Sequence, residues 1–246
     1  NGFVEFFDND WNKTYAAFRL ESERFPGLTA KDGSYTKEEF RDFQIMAARY
    51  GVNVIPEIDV PAHSLAFTHY NPRLAADKKE YGMDHLDLYK PEVYEFVDVL
   101  FDEYLSGENP VFVGPEVHIG TDEYYGEENA FRHFSDDMIK YIQGKDRTVR
   151  MWGSLTQIDG DGTVPVKSEN VQLNVWNTGY SNPKQMYNDG FDLINTLDGS
   201  LYMVPNGSGS RGGYGDYLRT EDLYKNWIPN NMGGTVIPAG SDQMLV

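Results

Sequence analysis

Hydrophobic and polar positions follow two alternating patterns along this chain: short apolar runs rich in β-branched residues, and longer segments whose apolar positions recur at helical spacing. The clearest helix is predicted to begin after Thr36. Thr36 and Glu39 have the spacing of a capping box, in which each side chain satisfies the other's free backbone N–H. Phe40, Phe43 and Ala47 then fall on one face, which we expect to be buried.

The two patterns continue to the end of the chain. Strands are predicted at 52–60, 111–119, 148–152, 171–176 and 192–196, and helices at 91–104, 127–142 and 183–188. Segment 235–237 begins or supports one more strand. This alternation implies parallel strands with crossover helices, either in an eight-stranded barrel or in a doubly wound open sheet. Five strands do not complete a barrel, and no linker composition divides residues 1–246, so we expect a single domain.

The charge balance narrows the class of partner. The chain has 21 basic and 39 acidic residues, a net charge of −18 at pH 7. This charge disfavours binding to nucleic acid or to an anionic membrane surface, whereas a neutral ligand such as a sugar fits better. Solubility is the alternative reason for the acidic excess. No apolar run approaches the roughly 18–20 residues that span a bilayer, and the absence of cysteine excludes disulfides and thiolate metal sites.

Two adjacent carboxylates follow the apolar run 117–119, at Asp122 and Glu123. The carboxyl ends of parallel strands hold the active sites of α/β domains, so this position favours catalysis. One carboxyl group of such a pair can stay protonated and act as a general acid. The alternative is a solvated acidic turn that caps the next helix.

A second polar group of residues ends the first predicted strand. Glu57 and Asp59 share one face of that strand because side chains alternate with a period of two, and His63 follows them. An isolated histidine is more often a structural group than a functional one. Trp152 and Trp176 lie at or near the ends of later strands, where their rings can pack on the apolar faces of sugars. Burial in the core is the ordinary alternative for both tryptophans.

The run from His118 to Glu123 resembles the His-x-Gly-x-Asp-Glu signature of glycoside hydrolase family 20, the β-N-acetylhexosaminidases. Other segments match the family in the same order: 18–21, 35–39, 51–63, 151–152, 175–176 and 201–202. The resemblance implies a (β/α)8 TIM barrel. Aligned on it, the chain begins near the end of the second barrel strand and stops just before the eighth. We therefore expect an excised piece of a longer chain, without the parent's substrate-binding arginine on the first strand.

The resemblance also implies a retaining exo-hydrolase that uses no protein nucleophile, an exception to the usual two-carboxylate scheme. Glu123 would be the general acid and later the base. Asp122 would hold the N–H of the substrate's acetamido group, and Tyr202 would orient the acetamido oxygen that attacks the anomeric carbon. The remaining side chains implied to line the substrate site are His63 as a partner of Glu123, with Trp152 and Trp176 as walls. The partner is an oligosaccharide or glycoconjugate, with no cofactor and no metal.

Two departures from the family pattern suggest a branch. Thr121 replaces a second glycine, and segment 203–205 differs from the Leu-Asp that commonly follows Tyr202. Both resemble the lacto-N-biosidases, which release a disaccharide ending in N-acetylglucosamine. A non-catalytic carbohydrate-binding barrel is the alternative function. We also expect a secreted or cell-surface protein of bacterial type. The glycine-rich segment 206–215 contains Gly-x-Gly-x-x-Gly but precedes no amphipathic helix, so it is interpreted as a loop.

Overall fold

The computed structural model describes residues 8, 10–76, 82–204 and 214–245. The strands are β1 (Glu57–Val60), β2 (Glu116–Gly120), β3 (Thr148–Trp152), β4 (Val171–Val175), β5 (Asp192–Asn195), β6 (Asn231–Met232), β7 (Thr235–Val236) and β8 (Met244–Leu245). The helices are α1 (Lys37–Arg49), α2 (Leu65–Tyr70), α3 (Pro91–Leu105), α4 (Glu128–Gln143), α5 (Pro183–Asn188), α6 (Asp198–Leu201) and α7 (Thr220–Asn226). Short 3-10 turns add Trp11–Lys13 and Pro72–Leu74.

The main sheet has six strands in the order β1-β2-β3-β4-β5-β8. Every neighbouring pair is parallel. Strands that follow each other in the chain also lie side by side, without the reversal of strand order that defines a doubly wound sheet. The sheet is therefore an incomplete (β/α)8 barrel. Segment 235–237, expected to begin or support a further strand, supplies β7, which pairs antiparallel with β6 outside the main sheet.

Two strands begin later than the sequence predicts, and proline is the reason. The predicted strand 52–60 begins at Glu57, and the predicted strand 111–119 begins at Glu116. Pro56 and Pro115 directly precede these two starts. Proline has no N–H to donate to a ladder, so each strand begins only after its proline. The shortened strands keep their carboxyl ends, which is where the predicted site residues lie.

Helix α1 confirms its predicted cap, and of the face predicted to be buried it buries Ala47 but not Phe43. The backbone N–H of Glu39 donates to Thr36 Oγ1 at 3.1 Å, and the N–H of Thr36 donates to Glu39 Oε2 at 2.8 Å. Phe43, expected on the buried face, is 45% exposed. Gln44 is buried instead, because its side chain donates to the carbonyl of Val111 at 2.8 Å and satisfies the loop before β2.

Apolar side chains from α3, α4 and the strands of the sheet pack together in one core cluster. The apolar stripe of α3 is buried throughout: Val93, Phe96, Val97, Leu100, Phe101 and Tyr104. This packing fixes the strands whose carboxyl ends carry the polar groups described next. Across the described ranges, every helix is too short or too polar to cross a membrane.

Candidate active site

The site lies where β1 and β2 end, and its first members are Asp122, Glu123 and His63. The Nε2 atom of His63 is 3.2 Å from Oε2 of Glu123 and 3.6 Å from Oδ2 of Asp122. All three side chains are partly buried, with exposed fractions of 25% for His63, 15% for Asp122 and 32% for Glu123. The structure therefore brings the acidic pair and the predicted histidine together around one ring nitrogen.

The backbone conformation orients these three side chains. His63, Thr121 and Glu123 all have positive φ, at 52°, 69° and 46°. Positive φ is uncommon outside glycine, and Thr121 is β-branched, for which this conformation is a genuine outlier. Such outliers cluster at functional sites, where the surroundings hold them in place. Left-handed residues on both sides of Asp122 turn two consecutive carboxylates towards the same imidazole.

Asp59 lies beneath the pair and packs on the backbone of Gly120. A Cβ atom at Gly120, where φ is 71°, would lie 1.8 Å from Asp59 Oδ1, so no larger residue fits there. Polar atoms of Asp59, His63 and Asp122 all lie within 4.8 Å of one another. These three residues have the ligand types of a metal site. Protonated His63 already supplies a positive charge among them, so the group does not need a cation for charge balance.

The charges in this cluster depend on one another. Burial disfavours the charged form of His63, but the carboxylates of Asp122 and Glu123 outweigh it and raise the pKa of His63 to about 11. The protonated imidazole lowers the pKa of Glu123, although burial opposes that shift. Burial raises the pKa of Asp59 well above its ordinary value, and the charge of Asp122 raises it further. Both causes favour the neutral form of Asp59.

His118, the first residue of the acidic signature, supports the turn rather than the chemistry. Its Nδ1 atom accepts a hydrogen bond from the backbone N–H of Gly120 at 3.0 Å. Burial and the nearby charge of Arg150 lower the pKa of His118 to about 3, so the ring is neutral. Its 3.4 Å contact with Glu57 is therefore not an ion pair.

The two predicted tryptophans have different environments. The Nε1 atom of Trp152 donates to Glu57 Oε1 at 2.8 Å, which fixes the indole beside the first residue of β1. Trp176 is only 7% exposed, and its ring centroid lies 4.6 Å from that of Tyr180. The buried Nε1 atom of Trp176 has no hydrogen-bond partner among the described residues. Trp176 is therefore buried in the core, and its ring also packs against another aromatic side chain.

Tyr202 is half-buried on the third side of the site. Burial and the negative charge of Asp122 raise its pKa, so the hydroxyl stays protonated at neutral pH. Its ring centroid is 5.4 Å from that of Tyr214, which donates to Asp198 at 2.9 Å. Beside Tyr202 is a cavity of about 440 Å³. Its lining includes Asp198, Tyr202, Tyr214, Arg219 and Trp227. Most of the glycine-rich segment 206–215, interpreted as a loop, lies outside the described residues.

Tyr180 and Tyr125 contact the site but were not predicted from the sequence. Tyr180 donates its hydroxyl to Glu123 Oε1 at 3.2 Å, and its oxygen is 2.9 Å from that of Tyr125. Both tyrosines follow a predicted strand within a few residues, as Tyr124 also does. That proximity is the signal that could have marked them. Closeness to a strand end does not show which residue a tyrosine contacts, because Tyr180 and Glu123 are 57 positions apart in the sequence.

The sheet is part of a barrel whose parallel strands have acidic and aromatic side chains at their carboxyl ends, where the active sites of such barrels lie. Residues 13–236 match the model of the glycosyl hydrolase family 20 catalytic domain. The chain belongs to this family.

Comparisons with individual proteins agree with this family assignment. The chain is 28% identical over 197 residues to a lacto-N-biosidase of Bifidobacterium bifidum, covering 68% of the chain and 17% of that protein. It is 25% identical to beta-hexosaminidase subunit A1 of Dictyostelium discoideum, covering 78% of the chain and 40% of that protein. The chain thus spans less than half the length of either relative. Its fold is similar to the family 20 beta-N-acetylhexosaminidase of Streptomyces coelicolor A3(2), with a TM-score of 0.71 and 21% identity over 89% of the chain and 48% of that structure.

Proposed function

We propose that the protein containing this chain hydrolyses terminal β-linked N-acetylhexosamine with retention of configuration. The observation that carries the proposal is the pair of consecutive carboxylates that share His63, at 3.2 Å from Glu123 and 3.6 Å from Asp122. Family membership and the aromatic walls support the same substrate class. A neutral sugar also suits a chain with a net charge of −18.

In the first step Glu123 gives its proton to the glycosidic oxygen while the acetamido oxygen of the substrate attacks the anomeric carbon. The bond to the leaving group breaks, and the sugar becomes a cyclic oxazolinium ion. Asp122 accepts a hydrogen bond from the acetamido N–H and stabilises the positive charge that develops there. Tyr202 donates its free hydroxyl to the acetamido oxygen and fixes its line of attack.

In the second step Glu123 takes a proton from water, which attacks the anomeric carbon and reopens the ring. The same carboxyl group therefore needs to be protonated first and ionised afterwards. In the free site the charge of His63 favours the ionised form of Glu123. A bound sugar displaces water, and the loss of hydration favours the protonated form. The proton on Nε2 of His63 lies within reach of Glu123 Oε2, at 3.2 Å.

Substitution of each carboxylate tests these roles in the full-length protein. With an unactivated disaccharide substrate, Glu123→Gln is expected to lower kcat/KM by roughly 10²–10⁴-fold, the usual contribution of a general acid–base group. Glu127→Gln, an exposed change at the start of α4, is the matched control. Turnover of the disaccharide that survives Glu123→Gln would refute the role of Glu123.

A thiazoline analogue of the oxazolinium ion tests assistance by the substrate. We expect it to bind at least 100-fold more tightly than the product sugar, as transition-state analogues do, and to lose that advantage in Asp122→Asn. Sugar binding without turnover and without preference for the analogue would instead favour a non-catalytic binding barrel.

Release of a disaccharide is the finer proposal. It is favoured by the similarity to a lacto-N-biosidase and by the cavity of about 440 Å³ beside Tyr202, which can hold a further sugar ring. Product analysis on oligosaccharides with defined non-reducing ends decides between the two outcomes. A released disaccharide supports this branch, whereas release of N-acetylglucosamine alone from every substrate rejects it.

A further inference from the structure

Tyr180 makes a direct contact with the proposed acid that the roles above leave unused. Its hydroxyl donates to Glu123 Oε1 at 3.2 Å, on the carboxylate oxygen opposite the one that His63 approaches. A phenol has one proton, so Tyr180 can donate to Glu123 only if Tyr125 donates to Tyr180 across their 2.9 Å contact. The hydrogen-bond chain therefore has one direction, from Tyr125 through Tyr180 to Glu123.

The position of Tyr180 is fixed by its backbone and its ring. Its N–H donates to the carbonyl of Asn177 at 3.1 Å, and its own carbonyl accepts from Thr156 Oγ1 at 3.2 Å. The next residue, Ser181, is fully buried and bonds to the carbonyl of Gly153. The aromatic ring lies on Trp176 with an interplanar angle of 31°. A hydroxyl held in this way loses little freedom when it bonds Glu123.

The geometry points to Tyr180 as a positioning residue, which together with His63 holds the carboxyl group of Glu123 from both sides and sets its plane towards the leaving group. This inference rests on the proposed role of Glu123 as general acid and base. Tyr125 acts one step further away, since its hydrogen bond polarises the hydroxyl of Tyr180 and strengthens its donation.

Burial raises the pKa of Tyr180, and the negative charge of Glu123 also raises it, so Tyr180 keeps the proton that it donates to Glu123 over the working pH range. The Tyr180 hydroxyl also adds to the lowering of the Glu123 pKa that His63 causes. Loss of the hydroxyl should therefore raise the pKa of Glu123.

The variant Tyr180→Phe keeps the ring on Trp176 and removes the hydroxyl alone. In the full-length protein we expect kcat/KM for an unactivated disaccharide to fall roughly 10-fold, the effect of losing one hydrogen bond to a charged group. Hydrolysis of a nitrophenyl glycoside, whose leaving group needs little protonation, should change less than about 3-fold. The basic limb of the pH profile should move to higher pH.

Tyr125→Phe provides a second measurement that leaves the Tyr180–Glu123 bond in place, and it should shift the pH limb in the same direction by less. Tyr187→Phe, whose hydroxyl contacts Ser241 at 3.2 Å, is the control for loss of a phenol elsewhere. Equal losses on both substrates in Tyr180→Phe, or a pH limb that does not move in either variant, would overturn the inference. A wild-type protein without turnover would reject the proposed function and this role together, whereas normal wild-type turnover with an unchanged Tyr180→Phe rejects only the role of Tyr180.

Discussion

At the scale of single residues, backbone conformation decides what the acidic pair can do. Thr121 and Glu123 have positive φ, and Gly120 before them has a φ of 71°. In a regular strand, successive side chains point to opposite faces, and one carboxylate would turn away from the other. The left-handed positions remove that alternation. The close approach of Asp59 to Gly120 then fills the space directly beneath the turn.

Substitution of Gly120 by alanine should be among the most damaging small changes in the chain. A Cβ atom would lie 1.8 Å from Asp59 Oδ1 and 2.5 Å from Asp59 Cα, so the backbone of β1 or β2 has to shift. Gly51→Ala is the matched control, because φ is 75° there and nothing lies within 4 Å of the added atom. Both variants share the left-handed penalty of about 1–2 kcal/mol. Urea unfolding should show Gly120→Ala to be less stable than Gly51→Ala by roughly 1–3 kcal/mol, and equal values would contradict the clash.

The pH profile should report the charge of His63. Because the imidazolium lowers the pKa of Glu123, its removal in His63→Gln should raise that pKa. The basic limb of kcat/KM follows the general acid of the free enzyme, so it should move to higher pH. The maximum rate should fall as well, since one of the groups that orient Glu123 is lost. His69→Gln, a histidine on α2, serves as the control, and a limb that moves to lower pH would disprove this coupling.

At the scale of elements, the sequence predicts helices and strands correctly where their bounds depend on residues close together in the chain. The capping box of α1 and the bounds of β3 and α5 agree with the sequence, because caps, proline at a helix start and apolar runs act over a few residues. The starts of β1 and β2 were predicted too early. The apolar runs extend into the preceding loops, but the proline before each strand has no N–H with which to pair. Phe43 was wrongly predicted to be buried, because Gln44 is buried instead and donates a hydrogen bond to the distant carbonyl of Val111.

The cap of α1 gives a prediction for this helix alone. Thr36→Ala removes the oxygen that accepts from the N–H of Glu39, and it should lower the free energy of unfolding by about 1 kcal/mol. Thr36→Ser keeps the oxygen and should stay within about 0.5 kcal/mol of the wild type. Thermal or urea unfolding of both variants provides the comparison. A loss of stability in Thr36→Ser as large as in Thr36→Ala would show that the methyl group, not the cap, matters.

Contacts between elements were the part of the site that sequence could not supply. A known family pattern identifies the acidic pair, His63, the tryptophans and Tyr202. Their positions at or near strand ends also predict that they lie close together. Tyr180 carries no such mark, since a tyrosine in a loop is ordinary in a chain with 17 of them. Its role depends on how the turn after β4 packs against the turn after β2, which is a matter of tertiary structure.

At the scale of the whole molecule, two histidines set opposite limits on stability against pH. The pKa of His118 is lowered from 6.5 to about 3, so the folded state binds fewer protons than the unfolded state in that window, and stability falls on acidification. The pKa of His63 is raised from 6.5 to about 11, so its contribution is complete below pH 6.5 and is lost as pH rises towards 11. Stability from these two groups is therefore greatest near pH 6.5.

The acid side of this curve is open to a direct test. Between pH 6.5 and pH 4, protonation of His118 on unfolding should cost the wild type on the order of 3 kcal/mol. His118→Gln should be less stable at pH 6.5 yet lose less on acidification, because its side chain does not titrate. Urea unfolding across this range measures both slopes, with exposed His133→Gln as control. Parallel slopes in His118→Gln and the wild type would show that other groups dominate the acid response.

The meeting of Asp122 and Glu123 at one nitrogen of His63 has a genetic consequence. A substitution at any of the three positions alters the surroundings of the other two, so their individual effects should not sum in double mutants. Lineages that change one of these amino acids should therefore need compensating changes at its neighbours, and the trio is expected to be inherited, or abandoned, as a unit.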